Sequence, residues 1–92
     1  MDIKKVAVLG SGVMGSGIAA HVASAGFEVE LLDIVIDEAN PDKLAAGAIE
    51  GLKKSKPALM MHPRFLKKIR PGNLRDHLDR LKDCDWVVEV VK

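Results

Sequence analysis

Hydrophobic positions in this sequence come in short blocks, each about as long as one buried strand or one helix face, with glycine, proline and charge between them. Val6, Ala7, Val8 and Leu9 form the first block, short enough for a buried strand. Beyond the glycines that follow, an alanine-rich segment runs to Ala25 and is broken by Gly26, which predicts a helix beginning near Val13. Phe27 to Leu32 is a second strand-like run, closed by an acid, Asp33. Ile34 to Asn40 reads as a loop, and in Asn40-Pro41-Asp42 either Asn40 or Asp42 can cap a helix. That helix is predicted from Leu44 to Lys56: Leu44, Ala48 and Leu52 share one face, Ala45 and Ile49 lie beside them, and Pro57 ends or kinks it.

Ala58 to Met61 is apolar without periodicity, and His62-Pro63 marks a break. Phe65 to Ile69 fits a helical turn and the start of a strand equally well. Ile69 to Asn73 predicts a short strand and turn, confined by Pro71 to an edge position. Leu74 to Lys82 has the pattern of an amphipathic helix with Leu74, Leu78 and Leu81 as its stripe, and Asp76 and Arg80 stand four apart, placed to pair. Cys84 to Val91 is dense in apolar residues, as expected of a buried parallel strand. Strands alternating with helices predict an α/β fold. We expect a Rossmann-type parallel sheet in the order 3-2-1-4 with right-handed crossovers and flanking helices. Residues 1–92 form one such domain. A βαβ series normally continues past its fourth strand, so the expectation is the amino-terminal piece of a larger enzyme, with uncovered strand surface that favours self-association.

The chemistry-bearing stretch lies between the first two strands. Gly10, Gly12 and Gly15 have G-x-G-x-x-G spacing, directly after a strand and at the start of a helix. Gly10 supplies the tight turn, Gly12 lets the backbone approach a pyrophosphate, and Gly15 lets helix and sheet pack. Gly17, Ala19, Ala20 and Ala23 are expected to keep the helix slim where it crosses the strands. The helix start aims free N–H groups and a positive dipole end at phosphate. Asp33 follows Gly15 by 18 positions, about where a carboxylate accepts hydrogen bonds from an adenosine ribose. Its charge repels a 2′-phosphate, so NAD is expected over NADP. Read from the residues alone, a glycine turn that binds nothing, or that binds FAD, stays open.

Composition narrows the classes. The chain is 48% apolar and 29% charged, with a formal net charge of +1. Neither nucleic acid nor a membrane is indicated, and no apolar run approaches the ~20 residues of a membrane span. The near-neutral total hides a basic middle. Lys43 to Arg70 holds eight basic residues (Lys43, Lys53, Lys54, Lys56, Arg64, Lys67, Lys68 and Arg70) and one acid, Glu50. This cluster is either a solvated helical surface or a site for anionic substrate. The lone Cys84 cannot form an internal disulfide and suits a reducing cytoplasm. His21 is expected as an ordinary helix residue, His62 as a loop residue and His77 as a solvated one. Glu89, alternating with valines, either points into the ligand crevice or pairs with a lysine.

The segment LGSGVMGSGIAAHVASAG followed by LLD, the Pro71-Gly72-Asn73-Leu74 run and CDWVVEVV near the end resemble the NAD-binding domain of 3-hydroxyacyl-CoA dehydrogenases. The similarity is greatest to the long bacterial and archaeal forms that serve fatty-acid β-oxidation. The resemblance implies oxidation of a 3-hydroxyacyl thioester to the 3-ketoacyl thioester, with hydride passing to NAD. It implies that Gly10, Ser11, Gly12, Val13, Met14 and Gly15 line the pyrophosphate, that Asp33 meets the adenosine ribose, and that Val90 and Val91 lie near the nicotinamide ribose. Between Asp37 and Lys68 the family has a longer helical hairpin that helps bind coenzyme A through lysine and serine. Lys53, Lys54, Ser55 and Lys56 are the nearest positions here. The family's catalytic His–Glu pair follows the last matched strand, and none of His21, His62 or His77 falls in its motif. No catalytic residue is therefore expected within these 92 residues. Two rivals stand beside this reading: an NAD-dependent dehydrogenase of another 3-hydroxy acid, and a non-catalytic nucleotide-binding module.

Overall fold

A computed structural model describes residues 4–54 and 63–90. In chain order it holds β1 (Lys5–Leu9), α1 (Val13–Ser24), β2 (Glu28–Asp33), α2 (Lys43–Lys54), the single-turn α3 (Pro63–Leu66), β3 (Ile69–Asn73), a 3-10 helix (Leu78–Asp83) and β4 (Trp86–Glu89). The strands pair in parallel in the order β3-β2-β1-β4, as the sequence predicts. Ser55, Lys56, Pro57, Ala58 to Met61, His62 and Val91 lie outside the described residues.

One face of the sheet carries the core. Val6 and Val8 of β1, Val29 and Leu31 of β2 and Ile69 of β3 meet Ala19, Ala20 and Ala23 of α1, Ala45, Ile49 and Leu52 of α2, and Leu66 of α3. Alternation along each strand puts these residues on the same side. Burying each valine, leucine or isoleucine contributes about 1.5–3 kcal/mol. The three alanines let α1 lie close against the strands. Gly17 does not share that task, because a Cβ there would meet nothing within 4 Å. α1 stops at Gly26, whose φ of 99° suits glycine and whose N–H returns to the Ala23 carbonyl at 2.9 Å. The buried stripe of α2 is Ala45, Ile49 and Leu52. Leu44 and Ala48 flank it half-buried, so the face is rotated slightly from the one expected.

The opposite face holds Ala7, Glu30, Leu32, Arg70, Gly72 and Val87, neighbours by strand register. Glu30 is only 1% exposed. Lys5 Nζ lies 3.2 Å from its Oε2, Arg80 Nη1 3.1 Å from its Oε1, and Arg70 Nη1 3.6 Å from its Oε2. Arg80 also donates to the Pro71 carbonyl at 3.0 Å, so one guanidinium pins the 3-10 helix over β2 and β3. Pro71 sits on an edge strand of the described sheet, as its missing N–H requires: among the described residues β3 pairs only with β2.

Three expectations are corrected. The segment from Leu74 to Lys82 is not one amphipathic α-helix but a turn followed by the 3-10 helix, with Leu78 half exposed. Asn73 caps the turn, its Oδ1 accepting the Asp76 N–H at 2.7 Å while His77 Nδ1 accepts the Asn73 N–H at 2.9 Å, and beyond His77 the backbone tightens to i→i+3 bonds, the Arg80 N–H meeting the His77 carbonyl at 3.0 Å. Asp76 and Arg80 consequently do not pair, because Asp76 bonds Arg75 and Arg80 reaches Glu30. The last strand is parallel as expected, but it is not buried. β4 has only β1 beside it in the described sheet, and Trp86 is 57% exposed.

Candidate functional site

β1 ends at Leu9, and the chain turns at once through Gly10 at φ 110°, a backbone shape that L side chains rarely adopt. The Gly10 N–H is held by the Leu32 carbonyl of β2 at 2.8 Å. Gly15, in the first turn of α1, lies against that turn: a Cβ on it would overlap the Gly10 carbonyl oxygen and press on Val90. Gly12 differs. A Cβ there would meet nothing within 4 Å and would project into open space at the helix start. Gly10 and Gly15 are thus required by the fold, whereas Gly12 keeps the approach to the helix N-terminus clear. That terminus has no side-chain cap and no acid in its first turn, so it offers free N–H donors. Val13 and Met14, its first residues, are largely exposed.

Asp33 closes β2 beside this turn. Its Oδ2 accepts the Ser11 N–H at 2.7 Å and the Ser11 hydroxyl at 2.6 Å, and its Oδ1 accepts the Ile34 N–H at 2.7 Å. Partial burial alone would raise its pKa, but the bonds from the Ser11 hydroxyl and from the Ser11 and Ile34 amides outweigh it and hold the carboxyl below its ordinary range. The acid expected at the ribose and the turn expected at the pyrophosphate are therefore one hydrogen-bonded unit.

Neighbouring β3 is tied in at the same level. Asn73, in register with Asp33, is buried and donates Nδ2–H to Asp42 Oδ1 at 2.6 Å, which joins the end of β3 to the start of α2. The Leu74 N–H bonds the Asp33 carbonyl at 2.9 Å. His77, expected to be solvated, is instead half-buried and accepts the Asn73 N–H through an unprotonated Nδ1. On the other side, the Val90 N–H bonds the Leu9 carbonyl at 2.9 Å, and Val90 Cγ2 lies close to Gly10 and Gly15.

The structure brings together Gly10, Ser11, Gly12, Val13, Met14, Gly15, Asp33 and Val90 at the carboxyl ends of β1, β2 and β4. It does not bring Lys53 and Lys54 to them. These lysines are exposed at the far end of α2, roughly 16 Å along the helix from its start at Lys43, and Lys53 pairs with Glu50 at 3.2 Å. Ser55, Lys56 and Val91 lie outside the described residues. His21 and Glu89 are exposed, and Cys84 is half-buried just before β4, where burial pushes its thiol pKa up. Ile34 and Ile36, which no sequence motif singles out, are about half exposed where the chain leaves β2. Their signal was two isoleucines in a segment that otherwise reads as a loop. Among the described residues there is no cluster of three or more metal-binding side chains, and no helix is long and apolar enough to cross a membrane.

Comparisons with known proteins agree with this geometry. The family model described as 3-hydroxyacyl-CoA dehydrogenase, NAD binding domain, matches residues 5–92. The "Probable 3-hydroxyacyl-CoA dehydrogenase" of Deinococcus radiodurans is 48% identical over 93 aligned positions, covering 99% of this chain and 27% of that protein. A Bacillus subtilis protein of the same name is 43% identical, with 97% of this chain and 13% of the relative covered. Among solved structures, 3-hydroxybutyryl-CoA dehydrogenase from Escherichia coli superposes with a TM-score of 0.73 at 29% identity, covering 100% of this chain and 19% of the other. The chain thus spans about a quarter or less of the length of these proteins. With the matched residues, the sheet order and the glycine turn in agreement, the chain belongs to the family of 3-hydroxyacyl-CoA dehydrogenase NAD-binding domains.

Proposed function

We propose that this chain is the cofactor-binding part of an enzyme that oxidises 3-hydroxyacyl-CoA to 3-ketoacyl-CoA in fatty-acid β-oxidation, in the cytoplasm. The observation that carries the reading is the union of phosphate turn and ribose acid: Ser11 donates twice to Asp33 beside an uncapped helix N-terminus. NAD, when bound, supplies the acceptor for the hydride of the alcohol carbon. The residues of this chain orient it. The open space at Gly12 admits the pyrophosphate to the first N–H groups of α1, with Val13 and Met14 alongside. Asp33 accepts a ribose hydroxyl and repels a 2′-phosphate. Ile34 and Ile36 offer an apolar wall on the adenosine side, Val90 lies towards the nicotinamide ribose, and contact with that ribose is the role proposed for Val91 as well.

The proton of the substrate hydroxyl has no acceptor in this reading among His21, His62 and His77. A histidine base oriented by a carboxylate, as such chemistry needs, is assigned to chain beyond the matched segment. Lys53, Lys54 and Lys56 are proposed to contribute positive charge, and Ser55 a hydroxyl donor, towards the phosphates of coenzyme A.

The test is a titration of the full-length protein with NADH and NADPH, beside Asp33→Ala. The wild type should prefer NADH, and the substitution should weaken NADH about tenfold to hundredfold, the worth of a hydrogen bond to a charged group. Oxidation of a 3-hydroxyacyl-CoA, but not of the free 3-hydroxy acid, should follow. Equal binding of both cofactors with no effect of Asp33→Ala would overturn the cofactor assignment. Turnover of the free acid alone would overturn the substrate.

A further inference from the structure

The donors around Asp33 are unevenly shared. Ser11 places two on Oδ2, from its hydroxyl at 2.6 Å and its N–H at 2.7 Å, while among the described residues Oδ1 takes only the Ile34 N–H at 2.7 Å. An ionised carboxylate offers about four acceptor sites. Among the described residues three are filled, and the one left open is on Oδ1. Ser11 thereby closes one oxygen and presents the other. It also fixes the carboxylate plane, because three bonds from two different segments leave the group no free rotation.

We propose that Ser11 is a positioning and specificity-determining residue that acts through Asp33: its hydroxyl holds the carboxylate so that Oδ1 meets a single ribose hydroxyl and cannot swing aside for a 2′-phosphate. This inference rests on the NAD reading above and assigns Ser11 within it. The N–H groups after Ser11, at the start of α1, are left to the pyrophosphate, since the Ser11 amide is already bonded to Asp33. Sequence spacing groups Ser11 with the phosphate turn. Its hydrogen bonds group it with the ribose acid.

The consequence is a change in discrimination rather than a uniform loss of affinity. In Ser11→Ala the carboxylate keeps two of its three donors and gains freedom to rotate. NADH then binds more weakly and a 2′-phosphate is less firmly excluded. The ratio of the NADPH to the NADH dissociation constant should fall about three- to tenfold, less than the tenfold to hundredfold of a whole hydrogen bond to a charged group because two of the three donors on the carboxylate remain. Ser11→Cys, similar in size but a weak donor, carries the same expectation and guards against poor folding of the alanine variant. Ser11→Thr keeps the hydroxyl and should keep the ratio.

The deciding measurement is direct binding of NADH and NADPH to the full-length wild type, these three variants, and Ser11→Ala in an Asp33→Asn background. If Ser11 acts through Asp33, its substitution leaves the cofactor ratio unchanged once the carboxylate is gone. If its hydroxyl contacts phosphate directly, both cofactors weaken by the same factor and the effect survives in Asp33→Asn, which overturns the proposal. A wild type that prefers NADH, with the ratio unmoved in both Ser11→Ala and Ser11→Cys, also overturns it while leaving the NAD reading intact. A wild type that binds neither cofactor overturns that reading and this inference with it.

Discussion

At the scale of single residues, the three motif glycines answer to different constraints, and substitution should separate them. Gly15 has no room for a side chain, because a Cβ would overlap the Gly10 carbonyl oxygen inside a turn that cannot retreat. Gly15→Ala should destabilise the fold by about 1–3 kcal/mol or more through overpacking, seen as a lower urea midpoint. Gly12 has open space, so Gly12→Ala should leave the stability within about 0.5 kcal/mol of the parent while weakening NADH. Equal loss of stability in both variants would mean that Gly12 too is a packing residue. The motif spacing makes all three glycines legible in the sequence, but not this division of labour. Which carbonyl faces which Cα depends on how closely α1 docks, and the docking follows from Ala19, Ala20 and Ala23 further along.

Secondary-structure elements in this fold are positioned as much by buried polar groups as by apolar stripes. β2 carries Glu30 into the interior, where Lys5 of β1, Arg70 of β3 and Arg80 of the 3-10 helix converge on it. Alternation in EVELLD gives no hint of this, since an acid between apolar residues normally marks a solvated face. The partners come from three distant segments. The same holds for the stretch after β3. Its leucines have helical spacing, yet after the turn that Asn73 caps the chain tightens to 3-10 bonding, with the Arg80 N–H on the His77 carbonyl. Arg80 then serves Glu30 instead of Asp76. Glu30→Gln should destabilise the protein by about 1–3 kcal/mol. This is less than for a fully enclosed ion pair, because Arg70 and Lys5 keep some access to water. Combining it with Arg80→Gln should cost less than the sum of the two single substitutions, since they remove the same bond. Additive losses in urea unfolding would show that Glu30 and Arg80 act independently.

Across the whole molecule, carboxylates join the strands at both ends of the sheet. At the carboxyl end Asp33 links β2 to the glycine turn. At the amino end Asp85, just before β4, accepts the Lys4 and Lys5 N–H groups at 2.8 and 3.0 Å and so fastens the two strands at their starts. The sheet order was legible because each strand is a separate apolar block and the glycine turn marks the first crossover. These ties were not, since each pairs residues far apart in sequence. They carry a pH dependence of definite sign. The backbone bonds from Lys4 and Lys5 hold the Asp85 carboxyl below its ordinary value of 3.8. Asp33, despite the opposing effect of burial, is held below it by Ser11 and Ile34. A carboxyl with a depressed folded pKa contributes stability that is fully present above its unfolded pKa and is lost as pH falls through the folded value. The urea midpoint should therefore stay level on the acid side of neutrality down to about pH 5 and fall below about pH 4. Asp85→Asn should lower the neutral plateau and make the acid fall shallower, because the amide oxygen still accepts but no longer titrates. A midpoint that fell just as steeply in Asp85→Asn and Asp33→Asn would take the acid sensitivity away from these two joints. Their hydrogen bonds would then hold the sheet ends in place without setting its response to pH.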